Sequence, residues 1–165
     1  MVLIKLIYVF IILSNILFAQ SASLNEVSTV SDAEVSIPLN VFDFPNIEAI
    51  NFKIHFNPDA VEIINVTKNN IEICNSCYSL NYNIISDTLA VVMYNIGGSE
   101  IFLGDGHIIS LNFLTISSPP DSSHLDFTQF IINETDDILE NTQNGQINIR
   151  EGSLGCINFS ACNYD

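Results

Sequence analysis

The sequence predicts an all-β sandwich. Three observations point there: short runs in which apolar and polar residues alternate, turn-forming residues spaced between those runs, and no helix-length 3.6-residue period with caps. Alternation of period two is what a strand with one dry face and one wet face produces. Seven to nine short strands of this kind, separated by turns, close into two packed sheets.

The elements follow in order. Val35, Ile37, Leu39 and Val41 alternate with Glu34, Ser36, Pro38 and Asn40. Pro38 has no amide donor, so this strand is expected at a sheet edge or at a bulge. Asp43 to Asn46 reads as a turn. Ile50, Phe52, Ile54 and Phe56 then alternate with Asn51, Lys53 and His55. Asn57-Pro58-Asp59 breaks that strand, and Val61 to Val66 resumes a β-branched run. Thr88 to Tyr94 is continuously apolar, which predicts a strand buried on both faces. Gly97-Gly98 ends it, and Gly104-Asp105-Gly106 is a tight-turn signal. Ile109, Leu111 and Phe113 alternate with Ser110 and Asn112 until Pro119-Pro120. Leu125 to Ile132 and Gln146 to Ile149 make two more strands, the last preceded by the turn pair Asn144-Gly145. Asp137 to Glu140 fits a single helical turn. Ile50, Phe52, Ile54, Phe56, Leu111 and Phe113 are expected in one core. The alternation stops at Gly152, so the sandwich is expected over residues 26–150 with a tail over 152–165.

Composition narrows the function. The 165 residues suit one domain with short appendages, and 48% apolar content supplies a core. The formal charge is −15, and Lys5, Lys53, Lys68 and Arg150 are the only strong bases. Such a surface repels phosphate backbones, which excludes nucleic acid as a partner and disfavours anionic membranes. The acidity itself reads as solubility and salt tolerance.

The N-terminus reads as a secretory signal over residues 1–21. Lys5 supplies a basic end, Leu6 to Phe18 an apolar stretch, and Ala19, Ser21 and Ala22 a small-residue cleavage site after Ala19 or Ser21. A retained anchor is the competing reading, since spanning needs roughly 20 apolar residues. The mature chain is expected outside the cell or at its surface, with no membrane insertion once the signal is removed.

In an exported chain an even cysteine count is first a disulfide count. Cys74, Cys77, Cys156 and Cys162 are therefore disulfide candidates. Cys74 and Cys77 have redox or zinc spacing, but their surroundings read as strand and not as the helix start of a thioredoxin-like site. A local disulfide leads, with free thiols and then a metal clip behind it.

Catalytic chemistry is not expected. His55, His107 and His124 form no ligand-spaced pair, and His55 reads as a solvated side chain. Asp105 and Asp136-Asp137 read as turn formers, not as a calcium loop. There is no serine nucleophile elbow, phosphate loop or nucleotide fingerprint. A small sandwich with short loops leaves little room for the cleft of a glycoside hydrolase. No catalytic residue, metal or cofactor is assigned.

Three segments carry a family resemblance. Phe56-Asn57-Pro58-Asp59-Ala60-Val61-Glu62-Ile63 resembles the aromatic-Asp-Pro segment after an early strand of cohesin domains. Asp105-Gly106 through Phe113 resembles a later strand of that family, and Asn144-Gly145-Gln146-Ile147-Asn148-Ile149 its closing strand. The resemblance implies a nine-stranded jelly-roll sandwich related to cellulose-binding modules. It also implies a non-catalytic binding or scaffold role, with a dockerin-like protein domain or a polysaccharide as partner in assemblies for polysaccharide breakdown. Dockerin-binding members present polar residues from the strand before the Asp-Pro turn. The matching outward positions here are Ala49, which has no hydrogen-bonding side chain, and Asn51, followed by Lys53 and His55. Asn51, Lys53 and His55 are the expected partner-binding face. Lys53 has a competing reading as an edge guard against strand pairing. Gly155 to Asp165 resembles the start of a Gly-Cys-x4-Ala-Cys-Asn-Tyr-Asp repeat of large exported proteins, which implies a truncated product whose later repeats are missing. Direct glycan binding and a structural spacer role within a larger surface protein are the alternatives to protein docking.

Overall fold

The computed structural model describes residues 20–69, 77–97, 102–134 and 136–152. Residues 1–19 of the segment expected as a signal, Cys74, Cys156, Cys162 and the tail from residue 153 lie outside the described residues. The strands are β1 (Ser21–Leu24), β2 (Glu26–Thr29), β3 (Glu34–Ile47), β4 (Ala49–His55), β5 (Val61–Lys68), β6 (Tyr78–Ile85), β7 (Thr88–Asn95), β8 (Phe102–Thr115), β9 (Asp121–Ile132), β10 (Asp136–Asp137), β11 (Thr142–Gln143) and β12 (Gly145–Ile149). A 3-10 turn spans Leu139–Asn141.

They form two sheets, one ordered β11-β1-β3-β8-β5 and the other β2-β12-β9-β4-β7-β6, with β10 beside β9. This is the expected all-β sandwich. Among the described residues it has twelve strands where nine were expected, because β10 and β11 are two-residue pairings and the N-terminal strand is divided. The chain changes sheets at Asn25: β1 pairs with β3, and β2 runs parallel to β12.

Two expected turns lie inside long strands. Asp43 to Asn46 belongs to β3 and Gly104-Asp105-Gly106 to β8, and these two strands pair with each other. Register shifts at Val41/Phe44 and Phe44/Ile47 absorb the irregular residues. Asp43 takes a left-handed φ of 60°, and its amide donates to Asp105 Oδ1 at 2.6 Å. The turn chemistry is real, but it makes bulges rather than chain reversals. Pro38 is likewise not on an edge strand, since β3 lies between β1 and β8. The β1 ladder ends at Leu24 opposite Leu39, one residue short of Pro38, so the missing donor falls where that ladder has stopped.

Ile50, Phe52, Ile54, Phe56, Leu111 and Phe113 share one buried cluster, as expected. Phe52 stacks on Phe130 at 5.7 Å between centroids, and Phe127 meets both rings edge-on at 6.2 and 5.4 Å. Thr115, which the sequence does not flag, is fully buried. Its hydroxyl accepts from the Ala33 amide at 3.0 Å and donates to the Val30 carbonyl at 2.7 Å, tying the β2–β3 loop to β8. Cys77 is buried immediately before β6 and is not a free thiol.

The strand expected to be dry on both faces is dry on one. In β7, Leu89, Val91 and Met93 are buried, whereas Val92 is 38% and Tyr94 41% exposed. No sheet or helix covers that side among the described residues, so an apolar run is left half in water.

Candidate partner-binding face

β4 lies between β9 and β7 in the interior of its sheet. Its burial alternates so that Ile50, Phe52 and Ile54 face the core while Ala49, Asn51, Lys53 and His55 face out. An interior strand has no open edge to protect, which removes the edge-guard reading of Lys53.

Register places each outward residue between two neighbours. Ala49 stands beside Tyr94; Asn51 between Val92 and Ile131; Lys53 between Ala90 and Gln129; His55 between Thr88 and Asp126. β6 continues the rows with Ser79, Asn81, Asn83 and Ile85 beside Tyr94, Val92, Ala90 and Thr88. Directly opposed residues in such ladders lie roughly 4.5–5.5 Å apart, so each row is in side-chain contact range. One end of the face is apolar, around Ala49, Val92 and Tyr94, and Lys53 occupies its middle.

The other end is titratable. His55 Nε2 lies 2.7 Å from Asp87 Oδ2, and both side chains are about half exposed. The hydrogen bond from His55 holds the Asp87 carboxyl below its ordinary value, against an opposing desolvation, with help from the Thr88 hydroxyl at 3.2 Å. An exposed pair of this kind adds little stability. What it does is orient the imidazole, so His55 is partnered and not simply solvated. The Lys53 ammonium makes no ion pair with a described residue.

Two open clefts border the face. One, of about 620 Å³, is lined by Glu48, Ala49, Tyr94, Asn95, Asn133 and Glu134 among others. There Asn133 Oδ1 accepts the amides of Glu48 and Ala49 at 2.8 and 3.2 Å, fixing the start of β4. The other, of about 460 Å³, is lined by His55, Asn57, Asp87, His124 and Asp126 with their neighbours. Among the described residues no three His, Cys, Asp or Glu side chains converge as a metal site would require. Asp105 and Asp137 instead accept backbone amides, from Asp43 and from Leu139 at 3.0 Å.

A Ser–His contact exists elsewhere, with Ser110 Oγ 3.0 Å from His107 Nε2. That nitrogen also lies 3.0 Å from the Ile109 carbonyl, which can only accept. A nitrogen donating to the carbonyl carries its proton already and is no base for Ser110. Among the described residues the outer face of β9, β4, β7 and β6 is a broad, mixed surface suited to contact. Sequence reasoning found Asn51, Lys53 and His55 on this face and missed Asp87, Val92 and Tyr94. Thr88 and Tyr94, the two polar-tipped residues of that run, share the parity of Val92 and were the available signal for its wet side.

No curated protein matches the sequence. Among solved structures, the sixth cohesin of Acetivibrio cellulolyticus scaffoldin B, crystallised with a dockerin, is 16% identical with a TM-score of 0.67, covering 80% of this chain and 99% of that one. A Clostridium thermocellum cohesin, OlpA, also crystallised with a dockerin, is 17% identical with a TM-score of 0.67, over 79% and 99% of the two chains. A non-cellulosomal cohesin from the archaeon Archaeoglobus fulgidus is 14% identical with a TM-score of 0.62, over 79% and 90%. At these identities the likeness is one of fold. The cohesin domain family model matches residues 21–149. With that match spanning both sheets, the chain belongs to the cohesin domain family, whose members are non-catalytic binding modules.

Proposed function

We propose that the chain is an exported docking module that receives a dockerin-like protein domain on the outer face of β9, β4, β7 and β6. The observation that carries this reading is the half-exposed Val92 and Tyr94 beside Asn51 and Lys53 in the middle of a sheet. Apolar contact area next to hydrogen-bonding and charged groups is the make-up of a protein interface. The family and the dockerin complexes of two similar structures agree with it. Lys53 suits an acidic side chain of the partner, and Asn51 can both donate and accept. Association with polysaccharide breakdown follows from the same family tie.

The test is titration calorimetry against a panel of dockerins, followed by the triple change Asn51→Ala, Lys53→Ala and His55→Ala. Folding should survive because these side chains point away from the core. Affinity should fall tenfold or more, about 1.4 kcal/mol. Unchanged affinity would move the interface to the other sheet. Binding to a glycan array with no dockerin response would replace the protein partner with a carbohydrate.

Export and covalent structure belong to the same proposal. β1 begins at Ser21, so cleavage after Ala19 leaves it whole while cleavage after Ser21 removes its first residue. Ala19 is therefore the preferred site, and the mature module is extracellular or at the cell surface. Cys74 is assigned as the disulfide partner of Cys77, with residues 155–165 as the start of a cysteine-containing repeat. Intact mass after alkylation without reduction should show no adduct on Cys74 or Cys77, whereas adducts on both would sink the assignment.

A further inference from the structure

We propose that two copies of this chain associate by pairing β6 with β6, antiparallel, about a two-fold axis at Tyr82. β6 is the last strand of its sheet among the described residues. Past Tyr78, whose carbonyl accepts from Lys68 Nζ, one row of its backbone donors and acceptors over residues 80–85 faces away from β7. Sheet edges are ordinarily kept from pairing by shortness, charge, proline or bulges. The other three edges carry such devices. β11 has two residues, β2 has four and includes Glu26, and β5 bears Glu62 and Lys68 with a register shift between Ile63 and Asn65. β6 has eight residues, Tyr78-Ser79-Leu80-Asn81-Tyr82-Asn83-Ile84-Ile85, without a charge or a proline, and its register with β7 is unbroken.

Its surface is unfinished in the same place. Residues 81–85 are all exposed, and Tyr82 and Ile84, which have core-facing parity, remain 42% and 41% exposed. Ile84 opens onto an apolar cleft of about 330 Å³ that also includes Phe56, Val61, Ile63 and Ile116. Apolar area left in water at an unguarded edge favours association.

The occupant is a second copy because the strand is nearly self-complementary. Leu80-Asn81-Tyr82-Asn83-Ile84 reads almost the same in both directions. With the axis at Tyr82, Asn81 opposes Asn83 of the second copy on the outer face. Leu80 opposes Ile84 on the inner face, and the two Tyr82 rings meet. A shift by one residue would set apolar against polar positions, so parity selects the register. An isologous contact asks for this self-matching. Charge points the same way: two chains of formal charge −15 repel, and contact is tolerable only through a neutral strip such as β6. The paired sheets run on into one another, so the outer faces of the two copies lie side by side. A contact of one strand per copy is small, which makes the dimer reversible and concentration-dependent.

Sedimentation velocity on the purified whole chain over a wide concentration range should show monomer passing to dimer. Tyr82→Lys with Asn83→Lys places like charges across the axis and should weaken the dimer at least tenfold. Tyr82→Phe keeps ring and fold, so the dimer should persist, while the photo-oxidative dityrosine cross-link formed by the parent should vanish. A parent that stays monomeric, a dimer indifferent to the lysines, or a cross-link that survives Tyr82→Phe would each overturn the proposal. Should the lysine variant fail to fold, the Phe variant and the cross-link decide alone.

Discussion

Phe52→Ala is expected to destabilise the sandwich by about 3–5 kcal/mol. Phe52 is fully buried at the centre of β4, stacked on Phe130 with Phe127 at its edge. Burying a ring of this size contributes roughly 1.5–3 kcal/mol, and the remainder comes from the cavity that truncation leaves. That cavity has little means of closing. β4 is held by ladders on both sides, with Phe52 opposite Val91 on β7 and Phe130 on β9, so the backbone cannot move inward without breaking one of them. Urea unfolding should show a lower midpoint with an unchanged slope, the signature of lost stability without a changed denatured state. A loss below about 1 kcal/mol would mean that neighbouring rings refill the space, and that the three-phenylalanine cluster is looser than its geometry implies.

The sequence discloses this core because alternation is strict where one face is wet. From Ile50 to His55 in β4 and from Ile109 to Phe113 in β8, every second residue is polar, and each apolar residue between them is buried. The same rule misleads in β7. Val92 is as apolar as Val91, so composition cannot say which of them meets water. Only the missing cover over β9, β4, β7 and β6 among the described residues decides it, and that cover is a property of the assembled sheets. An apolar surface left exposed resembles core when read residue by residue, which is why Val92 and Tyr94 escaped notice while Asn51, Lys53 and His55 did not.

Turn signals fail for a related reason. Asp43 and Gly104-Asp105-Gly106 carry the residues of chain reversals, yet they face each other across the β3–β8 ladder as bulges. Local chemistry specifies a backbone irregularity, and strand pairing determines whether the chain turns or kinks there. Lys53 shows the limit from the other side. An edge guard and an exposed lysine of an interior strand are the same residue in sequence, and only the order of strands separates them.

Gly145→Val is expected to cost about 3 kcal/mol, near the upper end for overpacking a well-filled site. The Asn144-Gly145 pair reads as a hairpin turn, but Gly145 does not occupy the left-handed region that such a turn would require. Asn144 is committed to β9, its Oδ1 accepting from Phe127 N at 2.9 Å and its Nδ2 donating to Asp126 at 2.8 Å. Gly145 is needed for space. A Cβ there would lie 2.7 Å from Leu24 Cβ and 2.8 Å from the Asn25 carbonyl, at the point where the chain crosses from one sheet to the other. Neither neighbour can retreat. Leu24 is buried and paired with Leu39 of β3, while Glu26, the residue after Asn25, is already in register with Gln146 of β12. The strain therefore falls on both sheets at once and exceeds the roughly 0.4–1 kcal/mol that replacing glycine recovers from the unfolded chain. Gly145→Ala should show the same sign with a smaller loss. Hydrogen exchange should locate the damage, with amides of β1, β2 and β12 losing protection before those of β4. A Val variant as stable as the parent would show that the Leu24–Asn25 crossing yields freely, and Gly145 would then be no more than a loop residue.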